Sequence, residues 1–238
     1  MFYKANKALI YATMGLSVAS MGSAAMADVL VTRSSGAAAR QYPRGTRLDD
    51  NQVIVLGAGD SITILTSRGT RQYSRPGRYP LSGPRLAASN GVGFTNAIAR
   101  TGVSRTGEPV STPATWQIEI GMSGPFCIAQ GQPVSFWRYD TEGAASYTVT
   151  RLVDSSSATV AFSAGENQSA WPSSFVPHNG TYRVEGPGGY NAQEIVITSL
   201  AVDLTDPVAV GAALLENGCD EQLSAFATEN ESEAGDAS

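Results

Sequence analysis

The sequence predicts a mainly β protein: a small β domain, an arginine-, glycine- and proline-rich linker, a β-sandwich of about seven strands and a short helical C-terminal appendage. Three observations carry this. Short apolar runs alternating with Ser, Thr or charged residues recur at short, regular spacing. Gly and Pro pairs punctuate them as turns. A helical pattern with start and stop signals appears only after residue 200.

Residues 1–27 have the order of a secretory signal. Lys4 and Lys7 come first, an uncharged stretch begins at Ala8, and Ala25-Met26-Ala27 supplies the small-residue cleavage pattern. The expected cut follows Ala27, so the mature chain starts at Asp28 and is periplasmic or secreted. The alternative is a retained anchor, because no charge appears from Ala8 through Ala27, about the length a bilayer span needs. Gly15, Ser17, Ser20, Gly22 and Ser23 dilute the hydrophobicity and favour cleavage. With no cysteine near the cut, a lipid anchor is not expected. No later segment reads as a membrane span.

Residues 28–83 form the first β domain. Apolar runs at 29–32 and 52–56 lead to the turn Gly57-Ala-Gly-Asp60. A strand at 61–66 places Ile62 and Ile64 in alternation with Ser and Thr, Arg68-Gly69 turns the chain into 70–73, and Pro76-Gly77 closes the segment. Residues 84–113 are the linker, with Gly83-Pro84, Pro109 and Pro113 among scattered arginines and room for a short helix around Thr95 to Arg100. From 114 to 200 the β pattern resumes, with strands read at 116–120, 125–128, 133–138, 146–153, 158–162, 181–185 and 194–198, which fits a sandwich. In 201–227, Asp206-Pro207 reads as an N-cap and first-turn pair opening a helix to Glu216, with Asn217-Gly218 as its stop. Residues 228–238 are acidic, nearly free of apolar side chains and expected to be disordered.

Charge divides the mature chain. Residues 28–109 hold 11 Arg against 5 acidic residues, and residues 110–238 hold 3 Arg against 16. A basic half can steer anionic partners such as surface lipids or envelope polymers. It is also what an arginine-for-lysine bias leaves on any solvated face. Nucleic acid is not an expected partner of an exported chain. The only cysteines, Cys127 and Cys219, are predicted to form one disulfide in an oxidising compartment. The alternative is two buried thiols.

The runs Gly45-Thr-Arg-Leu48, Gly57-Ala-Gly-Asp-Ser-Ile62, Thr66-Ser-Arg-Gly-Thr70 and Pro76-Gly77 resemble the repeating threshold-glycine pattern of FecR-type periplasmic domains. The resemblance implies a β-rich module of the bacterial envelope; some such proteins are signalling regulators bearing on an anti-sigma system. The whole chain also resembles exported proteins of Gram-negative bacteria that carry an Arg-Thr-Gly linker, here Arg100-Thr-Gly102, and a second domain with Trp followed by Phe-Cys. The expected mature chain has no cytoplasmic or membrane-spanning part, so transmembrane signalling is not expected of it.

Catalytic constellations are thin. The single histidine, His178, lies in the turn sequence Pro177-His-Asn-Gly180, and Ser123 lacks the Gly-x-Ser-x-Gly elbow. Two distant cysteines and one histidine cannot complete a zinc site. Asp203 with Asp206, and Asp154, are weak calcium candidates. Glu119, Glu142, Glu166, Glu185 and Glu194 could supply paired carboxylates for glycoside cleavage, yet any acidic sandwich shows as many. Trp116, Phe136 and Phe162 are expected in the core.

The leading expectation is a non-enzymatic protein-interaction or structural module that binds another envelope protein, with no cofactor and no metal. An alternative is a module for envelope polysaccharide or peptidoglycan, with Arg68, Arg71, Arg75 and Trp171 as contacts, Trp171 as an exposed ring. A carboxylate-dependent hydrolase comes last.

Overall fold

The computed structural model describes residues 29–81, 112–189 and 192–232. The expected signal segment, the linker through residue 111 and residues 233–238 lie outside the described residues.

The first unit contains β1 (Val29–Ser35), α1 (Ala38–Gln41), β2 (Arg47–Leu48), β3 (Val53–Leu56), β4 (Ser61–Thr66), β5 (Gly69–Tyr73) and β6 (Gly77–Pro80). Strands in the order β2-β1-β4-β5 make an antiparallel sheet, and β3 pairs with β6. Because side chains alternate along a strand, Val29, Val31, Ile62 and Ile64 share one face and pack with Ile54, Leu56 and Tyr42. Leu30 and Leu65 lie opposite each other and point the other way. Both faces are apolar, so both must be covered.

The helical turn α1 was not legible in the sequence, because four residues are too few for a periodic pattern. Asp60 holds it in place from the turn before β4. Its carboxylate accepts the Ala38 N–H at 3.1 Å and the Gly57 N–H at 2.8 Å. Gly36, at φ +73°, belongs to the same arrangement: a Cβ there would run into the Asp60 carboxylate.

The second unit contains β7 (Gln117–Glu119), β8 (Gly124–Ala129), β9 (Ser135–Trp137), β10 (Ala145–Arg151), β11 (Ser157–Phe162), β12 (Gln168–Ala170), β13 (Gly180–Glu185) and β14 (Gln193–Leu200). A five-stranded sheet, β11-β10-β13-β14-β8, and a three-stranded sheet, β12-β9-β7, enclose one core. Ile118 and Phe136 come from the smaller sheet; Val149, Val160, Phe162, Tyr182, Val184, Ile195 and Ile197 come from the larger. The sequence did not announce β12, whose Gln-Ser-Ala has no apolar alternation and is set by backbone pairing with β9. Trp116, expected inside the sandwich, lies instead under the C-terminal helices, partly buried.

Asp206 caps α2 (Pro207–Glu216) as the sequence predicts, accepting the Val208 and Ala209 N–H groups with Pro207 in the first turn. After Gly218 the chain enters α3 (Asp220–Ser232). Helix therefore continues through Thr228–Ser232, where disorder was expected. A tertiary contact explains this: Glu229 accepts both the N–H and the hydroxyl of Thr115, each at 2.7 Å.

These two helices are more than an appendage. Val210, Leu214 and Leu223 pack on Cys127 and Leu200, on the outer side of the sandwich. Val208 and Ala212 pack on Leu30 and Leu65 of the first unit, and Leu215 and Phe226 touch both groups. Gly211 allows the close approach, since a Cβ there would stand 2.5 Å from Leu65 and 3.2 Å from Leu30. The Cys127–Cys219 disulfide, with Cα atoms 6.0 Å apart, ties the wedge to β8.

Charge complementarity follows the same junction. Arg44 pairs with Asp220 at 2.6 Å and Arg47 with Glu216 at 3.1 Å, so the basic and acidic halves meet. Both pairs are well exposed and contribute about 0–1 kcal/mol each. Each fully buried Leu or Val contributes about 1.5–3 kcal/mol, so the apolar wedge, not the ion pairs, holds the units together. Among the described residues, no helix is long and apolar enough to cross a membrane.

Candidate interaction surface

Arg68 sits in the β4–β5 turn, Arg71 in β5 and Arg75 in the connection to β6. Arg68 and Arg75 are exposed and Arg71 is half-buried. None of them pairs with an acidic side chain among the described residues, unlike Arg44 and Arg47 on the junction side. The three arginines expected as contacts therefore lie along one consecutive run, with Arg68 and Arg75 at opposite ends of β5.

Trp171 does not join them. It belongs to the other unit and is only 9% exposed, so the exposed aromatic ring read from Trp171-Pro172 is corrected to a core residue. Its ring stacks on Phe136 at 5.1 Å and on Phe175 at 5.7 Å. Its indole N–H donates to the Phe175 carbonyl, which satisfies the one polar atom such a buried ring carries.

Several of the candidate residues take part in structural contacts. The backbone N–H and C=O of His178 both bond the Tyr182 hydroxyl, each at 2.9 Å, in an arrangement resembling the tyrosine corner of immunoglobulin-like sandwiches. The His178 side chain itself is exposed. Glu194 pairs with Arg183 across neighbouring strands. Asp154 lies at the β10–β11 turn, where the Ser156 hydroxyl and the Arg151 guanidinium hold its carboxyl down at about 2. Among the described residues no group of three or more His, Cys, Asp or Glu is placed to hold a metal ion.

The sheet edges are where this molecule differs from strand to strand. A free edge presents unpaired N–H and C=O groups, and proteins protect such edges by shortness, charge, proline or covering side chains. β2, β7 and β12 are two or three residues long. β3 is capped where the Tyr42 hydroxyl accepts the Val55 N–H. β6 carries Arg78 and Pro80. The helix α3 lies against β5, with the Asn230 carbonyl beside Gly69. On β8, the Gln222 side chain bonds both backbone groups of Cys127.

Among the described residues β11 has no such charge, proline or capping side chain, although β12 of the other sheet runs close to it. The hydrogen bond from Arg151 N–H to the Ser156 carbonyl closes the β10–β11 hairpin. Antiparallel pairing then directs the backbone groups of Ala158, Val160 and Phe162 toward β10 and those of Ser157, Thr159 and Ala161 away from it. All three outward residues are exposed, and their backbone groups bond nothing among the described residues. From Ser155 to Gly165 the chain has no charge and no proline. That uncharged run is the sequence signal for this edge.

No protein-family model matches this chain, and no curated protein matches it.

Proposed function

We propose that the mature chain is a non-enzymatic protein-interaction or structural module of the cell envelope, exported to the periplasm and joined to a protein partner by strand addition at β11. The observation that carries this reading is the outer edge of β11, unprotected among the described residues, on a sandwich whose other edges are short (β7, β12) or covered by Gln222 (β8). An extended chain placed beside Ser157, Thr159 and Ala161 gains main-chain hydrogen bonds without breaking any made by the described residues. The buried disulfide favours an oxidising compartment, and the resemblance of the first unit to FecR-type domains favours the envelope.

The test is capture of partners from the organism's own envelope extract by the mature protein and by Thr159→Lys. The substitution places a charge on the edge in the way natural edges are blocked. A specific protein retained by the wild type at high salt and lost with Thr159→Lys supports the reading. Equal retention by both proteins contradicts it.

A second reading rests on a separate observation, the unpaired arginines of β4–β6. Arg68, Arg71 and Arg75 would take an anionic envelope polysaccharide or peptidoglycan, without Trp171. Retention of polymer at low salt and its loss at high salt, when the screening length shortens to a few ångströms, is the expected signature.

A further inference from the structure

We propose that the chain received by β11 is the β11 strand of a second copy, paired antiparallel about a twofold axis that passes beside Thr159. This inference rests on the strand-addition reading and names its partner. A foreign strand is selected by side-chain pockets or by complementary charge, and β11 offers neither: its outward face is Ser157, Thr159 and Ala161, neighboured on β10 by Ser146, Thr148 and Thr150. What it offers is backbone, and that backbone is self-complementary. With Thr159 opposite Thr159, Ser157 faces Ala161 in both directions, so every outward N–H and C=O of the strand finds a partner and about six hydrogen bonds form. Shifting the register by one hydrogen-bonded step either way brings in Ser155, which has a positive φ of 57°, or Ser163, beyond the end of the strand.

Electrostatics permit this register. Continuing it outward sets Asp154 opposite Ala164 and Glu166 opposite Leu152, so no like charges stand directly opposite each other. The two five-stranded sheets become one continuous sheet, and the interface is isologous and closed, as a twofold contact requires.

Site-directed crosslinking tests this on the mature protein. At a hydrogen-bonded antiparallel pair the Cα atoms lie about 5.5 Å apart, within the range of about 4.4–6.8 Å that a disulfide accepts. Thr159→Cys is therefore expected to form a covalent dimer under mild oxidation. Ser157→Cys alone is expected to form no covalent dimer, and Ser157→Cys mixed with Ala161→Cys to crosslink. Sedimentation equilibrium gives an independent readout. Thr159→Lys sets two ammonium groups opposite each other, so its dimer dissociation constant should rise by at least about tenfold over wild type. A wild type that remains monomeric, or cysteines that crosslink without regard to position, overturns the self-pairing. If Thr159→Lys then still abolishes capture of an envelope protein, the strand-addition reading survives the loss; if capture is unaffected, both fall together.

Discussion

The carboxamide of Gln222 pairs with Cys127 as a neighbouring strand would, accepting its N–H at 2.6 Å and donating to its carbonyl at 2.8 Å. The same amide nitrogen donates to the Thr115 carbonyl at 2.6 Å. One side chain of α3 thus closes the β8 edge beside the disulfide, at a site where Gln222 is only 5% exposed. Gln222→Leu keeps the bulk but strands buried backbone groups, which should cost about 1–3 kcal/mol. A urea midpoint lowered accordingly at unchanged slope is the expected result; an unchanged midpoint would mean water replaces the amide at no cost.

The disulfide acts on the same junction and closes a 92-residue separation. Replacing both cysteines with alanine is expected to lower stability by about 2–4 kcal/mol. Thermal melts of the two proteins under oxidising conditions measure it. Adding reductant should lower the wild-type transition toward that of the variant and leave the variant where it was.

Asp60 is expected to make the first unit acid-sensitive. Hydrogen bonds from the Gly57 and Ala38 N–H groups hold its carboxyl below the ordinary 3.8. A carboxyl lowered in the folded state contributes stability that is fully present above its unfolded value and lost as pH falls through the folded one. The wild-type melting temperature should therefore drop below pH 4 more steeply than that of Asp60→Asn, which should already be lower at neutral pH. Parallel pH profiles would remove Asp60 from this role.

Trp171 and the arginines should separate cleanly. Trp171→Ala empties a stacked core site and should cost about 3–5 kcal/mol. Joint replacement of Arg68, Arg71 and Arg75 by Gln should leave stability within about 0.5 kcal/mol, as surface changes do, while abolishing low-salt retention of anionic polymer. Denaturant melts and polymer binding of both variants report the two effects.

What could be read in the sequence was whatever local chemistry dictates. The alternation of Ile62 and Ile64, the cap at Asp206 with Pro207, and the pairing of Cys127 with Cys219 needed no tertiary information. What depended on distant partners was not legible: α1 is held by Asp60, the end of α3 by the Glu229 contact with Thr115, and β12 by its pairing with β9. Trp171 was misread because a ring beside a proline in a loop looks exposed until Phe136 and Phe175 are known to flank it. The β11 edge was missed for a different reason, since its significance lies in the backbone and in what its neighbours lack.

Hydrogen exchange along β11 tests the central claim most directly, because the pairing predicts an alternating pattern. In dilute protein the amides of Ala158, Val160 and Phe162 should be protected by β10, while those of Ser157, Thr159 and Ala161 exchange as freely as exposed amides do. As protein concentration rises, or when a captured partner is added, protection should extend to the second set. Amides of Ser157, Thr159 and Ala161 already protected at high dilution, or unprotected whatever is added, would contradict the account.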